Sequence, residues 1–222
     1  MNDYIQTLET EFSKNAHPEI ASGQKAYMKN HFEFFGLTFP VRREIQRTFL
    51  IKKYLPPKKD ANKIIEILWK KPEREYQYFA QEFAEKYVRE LEPEDIALFE
   101  YMICHKSWWD TVDFIAVKLV GTYFKKYPEQ IETYVEKWLA SENIWLQRTA
   151  LLFQLKYKTA LDHKLLSQII RKLLGTNEFF INKAIGWVLR EYAKTNPNWV
   201  VDFVRQTALS KLSEREALKH IK

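Results

Sequence analysis

The chain has 222 residues, 46% of them hydrophobic and 15% aromatic, enough for one large domain or a repeat array. Its 35 Lys and Arg against 29 Asp and Glu leave a net charge of +6, and with a pI near 9.1 this fits an anionic partner. The single Cys104 excludes an internal disulfide, and no leader or membrane-spanning apolar run is read, so the expectation is a soluble, cytoplasmic protein with no membrane partner. Five glycines in an aromatic-rich chain argue for packed helices rather than sheets.

In chain order, Tyr4, Ile5, Leu8 and Phe12 mark the apolar stripe of a first helix. Pro40 opens a segment that carries Val41, Ile45, Phe49 and Ile51. Pro56-Pro57 stops the chain, and Asp60 is placed to cap a helix carrying Ile64, Ile67 and Leu68. Further helices are expected at about 73–90, 93–104, 108–126, 129–140, 144–157, 163–174, 178–194, 198–210 and 213–221. The links are short, with Pro72, Pro93, Pro128, Asn143, Asn177 and Pro197, which favours antiparallel neighbours.

A regular step joins these helices. From Tyr78-Phe79-Ala80, steps of about 35 residues reach Asp113-Phe114-Ile115, Arg148-Thr149-Ala150 and Lys183-Ala184-Ile185, each preceded by a shorter helix. Two helices per unit at this period mark an all-α, α-α superhelical solenoid of HEAT-like repeats, with a globular helical bundle as the rival. The expected organisation is a single domain, 1–222, with an N-terminal helical cap over 1–57 and repeats over 58–222.

Stacked repeats set equivalent positions side by side, so Tyr78, Asp113, Arg148 and Lys183 should form a row. Helical spacing puts Trp109 on the Asp113 face, and Trp187 and Arg190 on the Lys183 face; Lys156 follows Arg148 two turns on. Each residue also has a plainer reading. Trp69, Trp138, Trp145 and Trp199 read as core, and Trp109 stands between core and site. Asp113 lies in the apolar run Val112–Ala116, where an unpaired carboxylate is costly; it is either a site residue or one half of a buried ion pair with Arg148. Arg148 and Lys183 could equally be solvated helix charges. In Ser107-Trp108-Trp109-Asp110-Thr111-Val112-Asp113, Ser107 and Asp110 read as a helix start and Trp108 as a packing anchor.

Other chemistries find little support. The five histidines (17, 31, 105, 163, 220) are scattered, so no metal is expected, and no glycine-rich phosphate or dinucleotide loop implies a cofactor. Cys104-His105 reads as packing and a helix end. Basic pairs such as Arg42-Arg43 and Lys125-Lys126 read as solvated faces that could also meet phosphates.

The set "SWWDTVD", Gln147-Arg148 and Asn182-Lys183-Ala184-Ile185-Gly186-Trp187 resembles the AlkD-type DNA alkylation repair glycosylases over essentially the whole chain. The resemblance implies removal of positively charged N3- or N7-alkylated purines from duplex DNA, without flipping the base into the protein. It implies Asp113 as the catalytic carboxylate, Trp109 and Trp187 as aromatic walls, Arg148 as a phosphate contact and Tyr27 as a DNA-proximal aromatic. From the shared helix face, Lys156, Lys183 and Arg190 join the expected DNA-binding set. The expected partner is double-stranded DNA bearing alkylated bases, met by a monomer. A non-catalytic α-solenoid that binds DNA or a protein is the alternative.

Overall fold

Apolar residues three and four apart close the start of the chain into helix α1, Asn2–Lys14, which buries Ile5, Leu8 and Phe12 as the periodicity requires. The computed structural model describes residues 2–221. After α1 come α2 (Pro18–Tyr27), α3 (Phe39–Phe49), α4 (Lys58–Lys70) and α5 (Arg74–Glu85). Then follow α6 (Asp95–Cys104) and α7, which runs as Trp109–Phe114, continues in π-helical form over Ile115–Val120 and resumes over Gly121–Lys126. The remainder is α8 (Ile131–Ala140), α9 (Ile144–Leu152), α10 (His163–Lys172), α11 (Phe179–Ala193), α12 (Pro197–Arg205) and α13 (Lys211–Leu218). The all-α expectation holds: among the described residues the β structure is one isolated bridge, Glu33 to Glu73. The chain divides after Glu92 into two compact units.

The repeat is visible in the helix starts. α5, α7, α9 and α11 begin at 74, 109, 144 and 179, a step of 35 residues each time. Side-chain amides reinforce that phase. Gln77 Nε2 donates to the Lys71 carbonyl at 3.0 Å, Gln147 Nε2 to Ser141 O at 2.7 Å, and Asn182 Nδ2 to Thr176 O at 2.9 Å. Each amide is the fourth residue of its helix and reaches back to a backbone carbonyl of the link before it, a group that no helical ladder pairs. The residue after each amide is Tyr78, Arg148 or Lys183, so the row positions inherit a set orientation. Val112 holds this place in α7, where Ser107 Oγ instead donates to Ile103 O at 2.6 Å.

That bond corrects one expectation. Ser107 closes the end of α6 rather than opening α7, whose N-cap is Trp108, while Asp110 does lie in the first turn. The Asp60 cap is also overturned. α4 begins at Lys58 behind Pro57, and Asp60 sits inside its first turn, where a carboxylate favours the positive helix end. On α3 the apolar reading holds in part. Phe49 packs edge-on against Tyr4 at 5.5 Å and Phe79 at 6.1 Å, and Ile45 is half-buried. Val41 and, beyond the helix, Ile51 are exposed, however, and Arg42 and Gln46 are buried. Arg42 Nη1 bridges Gln46 Oε1 at 2.9 Å and Glu82 Oε1 at 2.8 Å, and Gln46 Nε2 also donates to Glu82. A closed polar network has taken a place that hydrophobicity alone would not assign. α9 ends at Leu152 instead of running to 157, because Phe153–Lys156 continue as turns.

In the second unit, outer helices α6 and α8 are tied by Glu100, which accepts from Trp138 Nε1 at 2.6 Å and Lys137 Nζ at 2.7 Å. Trp138 is fully buried against Phe124 (5.7 Å), and Phe124 meets Phe153 edge-on at 5.0 Å. Trp69 is likewise core, whereas Trp145 and Trp199 are half-buried. Beyond the π-helical stretch, the helix runs so close to Phe153 that a Cβ on Gly121 would lie 2.5 Å from the Phe153 carbonyl oxygen. The Gly121 carbonyl then accepts from Tyr157 Oη at 2.5 Å, locking the turns after α9 onto α7.

Candidate active site

Asp113 sits in the second turn of α7, just before the helix widens into its π-helical stretch, a feature that often marks functional helices. Trp109 lies one turn earlier on the same face. Arg148, 35 residues on, meets Asp113 as a fork: Nε to Oδ1 at 2.7 Å and Nη2 to Oδ2 at 2.9 Å. The third guanidinium nitrogen, Nη1, donates to the Phe180 carbonyl at the start of α11. One arginine therefore joins three successive inner helices. Its side chain is 4% exposed and that of Asp113 16%. Burial pushes the Asp113 carboxyl above its ordinary range, and the Arg148 hydrogen bonds and charge oppose that rise. The ion pair foreseen for Asp113 is present, and Arg148 spends its fork on it.

Aromatic rings pack at the starts of the same helices. Trp108, Trp145 and Phe180 form a triangle with centroid separations of 5.7, 5.1 and 5.0 Å. Trp145 and Phe180 are themselves one 35-residue step apart, so the register stacks them, and Phe179 extends the cluster edge-on at 5.4 Å into solvent. Trp108 is thus a half-buried anchor, as expected. Trp109 and Trp187 are both half-exposed, Trp187 on α11 one turn after Lys183.

The expected cations are present, and each already has a carboxylate. Lys183 Nζ donates to Glu216 Oε1 at 2.8 Å, and Arg190 Nη1 donates to Glu216 Oε2. The Lys183 hydrogen bond is the largest cause holding the Glu216 carboxyl down at about 2; burial opposes it and Arg190 adds to it. Lys156, exposed, pairs with Glu191 at 2.7 Å, which Lys194 also meets at 2.6 Å. Of the row, Asp113, Arg148 and the α11 start are joined by hydrogen bonds, while Lys183 turns to α13.

In the first unit, Tyr27 is 71% exposed. It lines a cleft of about 440 Å³ with Tyr78 and Phe34. Guanidinium groups of Arg42 and Arg74 lie 5.0 and 5.8 Å from the Tyr78 ring, so the first row position is an aromatic backed by cations. The described residues contain no cluster of His, Cys, Asp and Glu able to hold a metal, and no helix of theirs is long and apolar enough to cross a membrane.

A family model described as DNA alkylation repair enzyme matches residues 8–221. The chain belongs to that family. Its role is therefore in the repair of alkylated DNA, and DNA is the substrate the family implies. Among solved structures, a predicted DNA alkylation repair enzyme from Enterococcus faecalis is 36% identical, with 93% of this chain and 96% of that one covered and a TM-score of 0.86. The smu.31 protein of Streptococcus mutans UA159 shares the fold at 18% identity and a TM-score of 0.62, over 83% of this chain and 94% of its own. No curated protein matches the chain.

Three features escaped the sequence reading: Glu191, Glu216 and the Phe180 carbonyl. Glu191 was within reach, since it lies 35 residues after Lys156. Glu216 lies 33 after Lys183, because α13 begins 32 rather than 35 residues after α11, and a strict step overshoots it. A backbone carbonyl leaves no signal in residue type.

Proposed function

We propose that this chain is a monofunctional DNA glycosylase that hydrolyses the N-glycosidic bond of positively charged N3- or N7-alkylated purines, such as 3-methyladenine and 7-methylguanine, in duplex DNA. The observation that carries the reading is the Asp113 carboxylate, held in a two-point fork one turn from Trp109. A cationic purine leaves without prior protonation, so the sugar develops oxocarbenium character and needs an anion more than an acid. Asp113, kept ionised and oriented by Arg148, stabilises that charge and aligns the attacking water. The faces of Trp109 and Trp187 attract the cationic base and transition state by roughly 0.5–2 kcal/mol each. Arg148 acts first through Asp113, and a phosphate that reaches it shares the guanidinium. In this reading Lys156, Lys183 and Arg190 meet backbone phosphates that position the strand, and Tyr27 of the first unit is a DNA-proximal aromatic. The lesion is recognised without extrusion into the protein, which leaves room for bulky adducts. The protein works as a monomer in the cytoplasm or nucleoid.

A non-catalytic DNA-binding role makes the Asp113–Arg148 pair purely structural, and it is separated by one assay. Incubation with a duplex containing N7-methylguanine is expected to yield free base and abasic sites; a folded wild-type protein that releases none overturns the glycosylase reading.

A further inference from the structure

The C-terminal helix α13 sets a carboxylate between two cations of α11. Lys183 and Arg190 lie two turns apart on one face of α11, with Gly186 between them. Gly186 has no side chain to hold α13 away. A Cβ there would fall 2.4 Å from Glu216 Cβ and 2.9 Å from the Ser213 carbonyl oxygen. Ser213, fully buried, fastens the same approach by donating its Oγ to the Asn182 carbonyl at 2.8 Å. Glu216 is therefore delivered to a fixed place, where its side chain is 10% exposed beneath a Lys183 side chain that is 39% exposed. Both cations are thus bound by an anion whose backbone and Cβ are held against Gly186, Lys183 from the more exposed side.

We propose that Glu216 is a built-in competitor for DNA phosphate at Lys183 and Arg190, an attenuator of duplex affinity supplied by α13. The proposal rests on the reading of this face as the DNA-binding side. A phosphate reaching Lys183 must share it with a carboxylate already at 2.8 Å, so the trio offers the strand one net positive charge in place of two. Affinity for undamaged DNA is held down by that one charge, which favours release and movement along the duplex over tight nonspecific residence.

The test is equilibrium binding to an undamaged duplex over a salt series. Glu216→Gln keeps the shape and removes the charge. One more phosphate neutralised steepens the dependence of log K on log salt by about 0.9, which corresponds to roughly 5–10-fold tighter binding near 0.1 M salt. By the same count, Lys183→Gln alone leaves Arg190 paired with Glu216 and is expected to flatten the slope by about 0.9, and adding Glu216→Gln to it is expected to return the slope to the wild-type value. A slope for Glu216→Gln equal to or flatter than wild type overturns the attenuator. So does a Lys183→Gln slope equal to wild type, which means that no phosphate is neutralised at Lys183, a readout that holds even if Glu216→Gln fails to fold. Base release is measured separately. Release with unaltered slopes ends this proposal alone, whereas a wild type that neither binds nor cleaves ends the glycosylase reading with it.

Discussion

Replacing Arg148 by glutamine removes the fork at 2.7 and 2.9 Å and the bond to Phe180 O, and strands Asp113 with a side chain 16% exposed. Breaking a buried pair from one side costs about 3–5 kcal/mol, and the partial exposure of Asp113 favours the lower end. For a chain of this size 1 kcal/mol corresponds to about 2–4 °C in Tm, so the melting point should fall by about 6–12 °C. The loss should depend on pH. Burial already raises the Asp113 carboxyl above its ordinary value, and Arg148 is what opposes it. Without Arg148 the folded-state value climbs further from an unfolded value of about 3.9. A folded state that binds the proton more tightly loses stability as pH rises through its own pKa. The variant should therefore approach wild type near pH 4–5 and fall furthest behind near pH 8. Differential scanning calorimetry at both pH values measures this. A deficit equal at the two, or below about 2 °C, refutes the claim that Arg148 sustains the Asp113 charge.

Other outcomes follow from the same geometry. Gly186→Ala forces α13 off α11 against backbone as well as Glu216, and should cost about 1–3 kcal/mol in chemical denaturation. Gln77→Leu removes the amide donor that reaches the Trp69 and Lys71 carbonyls, and a loss of about 1–3 kcal/mol by urea unfolding is expected. Glu216, held at about 2, contributes stability that is complete above its ordinary 4.5 and lost as pH falls toward 2. Glu216→Gln should accordingly lose about 1–2 kcal/mol at neutral pH, the exposed Lys183 side being screened by solvent, and flatten the decline of Tm between about pH 4.5 and 2.5.

Periodicity carried most of the fold. The step of 35 read from weakly similar triplets is the spacing of the helix starts, since each inner helix must present the same face to its neighbours. It also placed Asp113 beside Arg148. What periodicity misses is polar burial: Arg42 and Gln46 are buried on α3, in place of the exposed Val41, because Glu82 completes their network, and no hydrophobic pattern encodes a partner about 40 residues away. Charge state was hidden for the same reason. Lys183, Arg190 and Lys156 read as available cations, and their carboxylates come from elsewhere in the chain. Ser107 shows the limit of local rules, since a serine between two helices can serve either end, and here it serves the earlier one.

The central claim is that the Asp113 carboxylate does chemistry beyond holding Arg148. Single-turnover base release from an N7-methylguanine duplex, wild type against Asp113→Asn, with folding checked by circular dichroism and duplex binding measured in parallel, tests it most directly. The expected result is a rate lower by about 10²–10³-fold with DNA affinity retained, the scale of losing one preorganised electrostatic contact. A folded, DNA-binding Asp113→Asn that releases base as fast as wild type would contradict it and leave the pair a purely structural one.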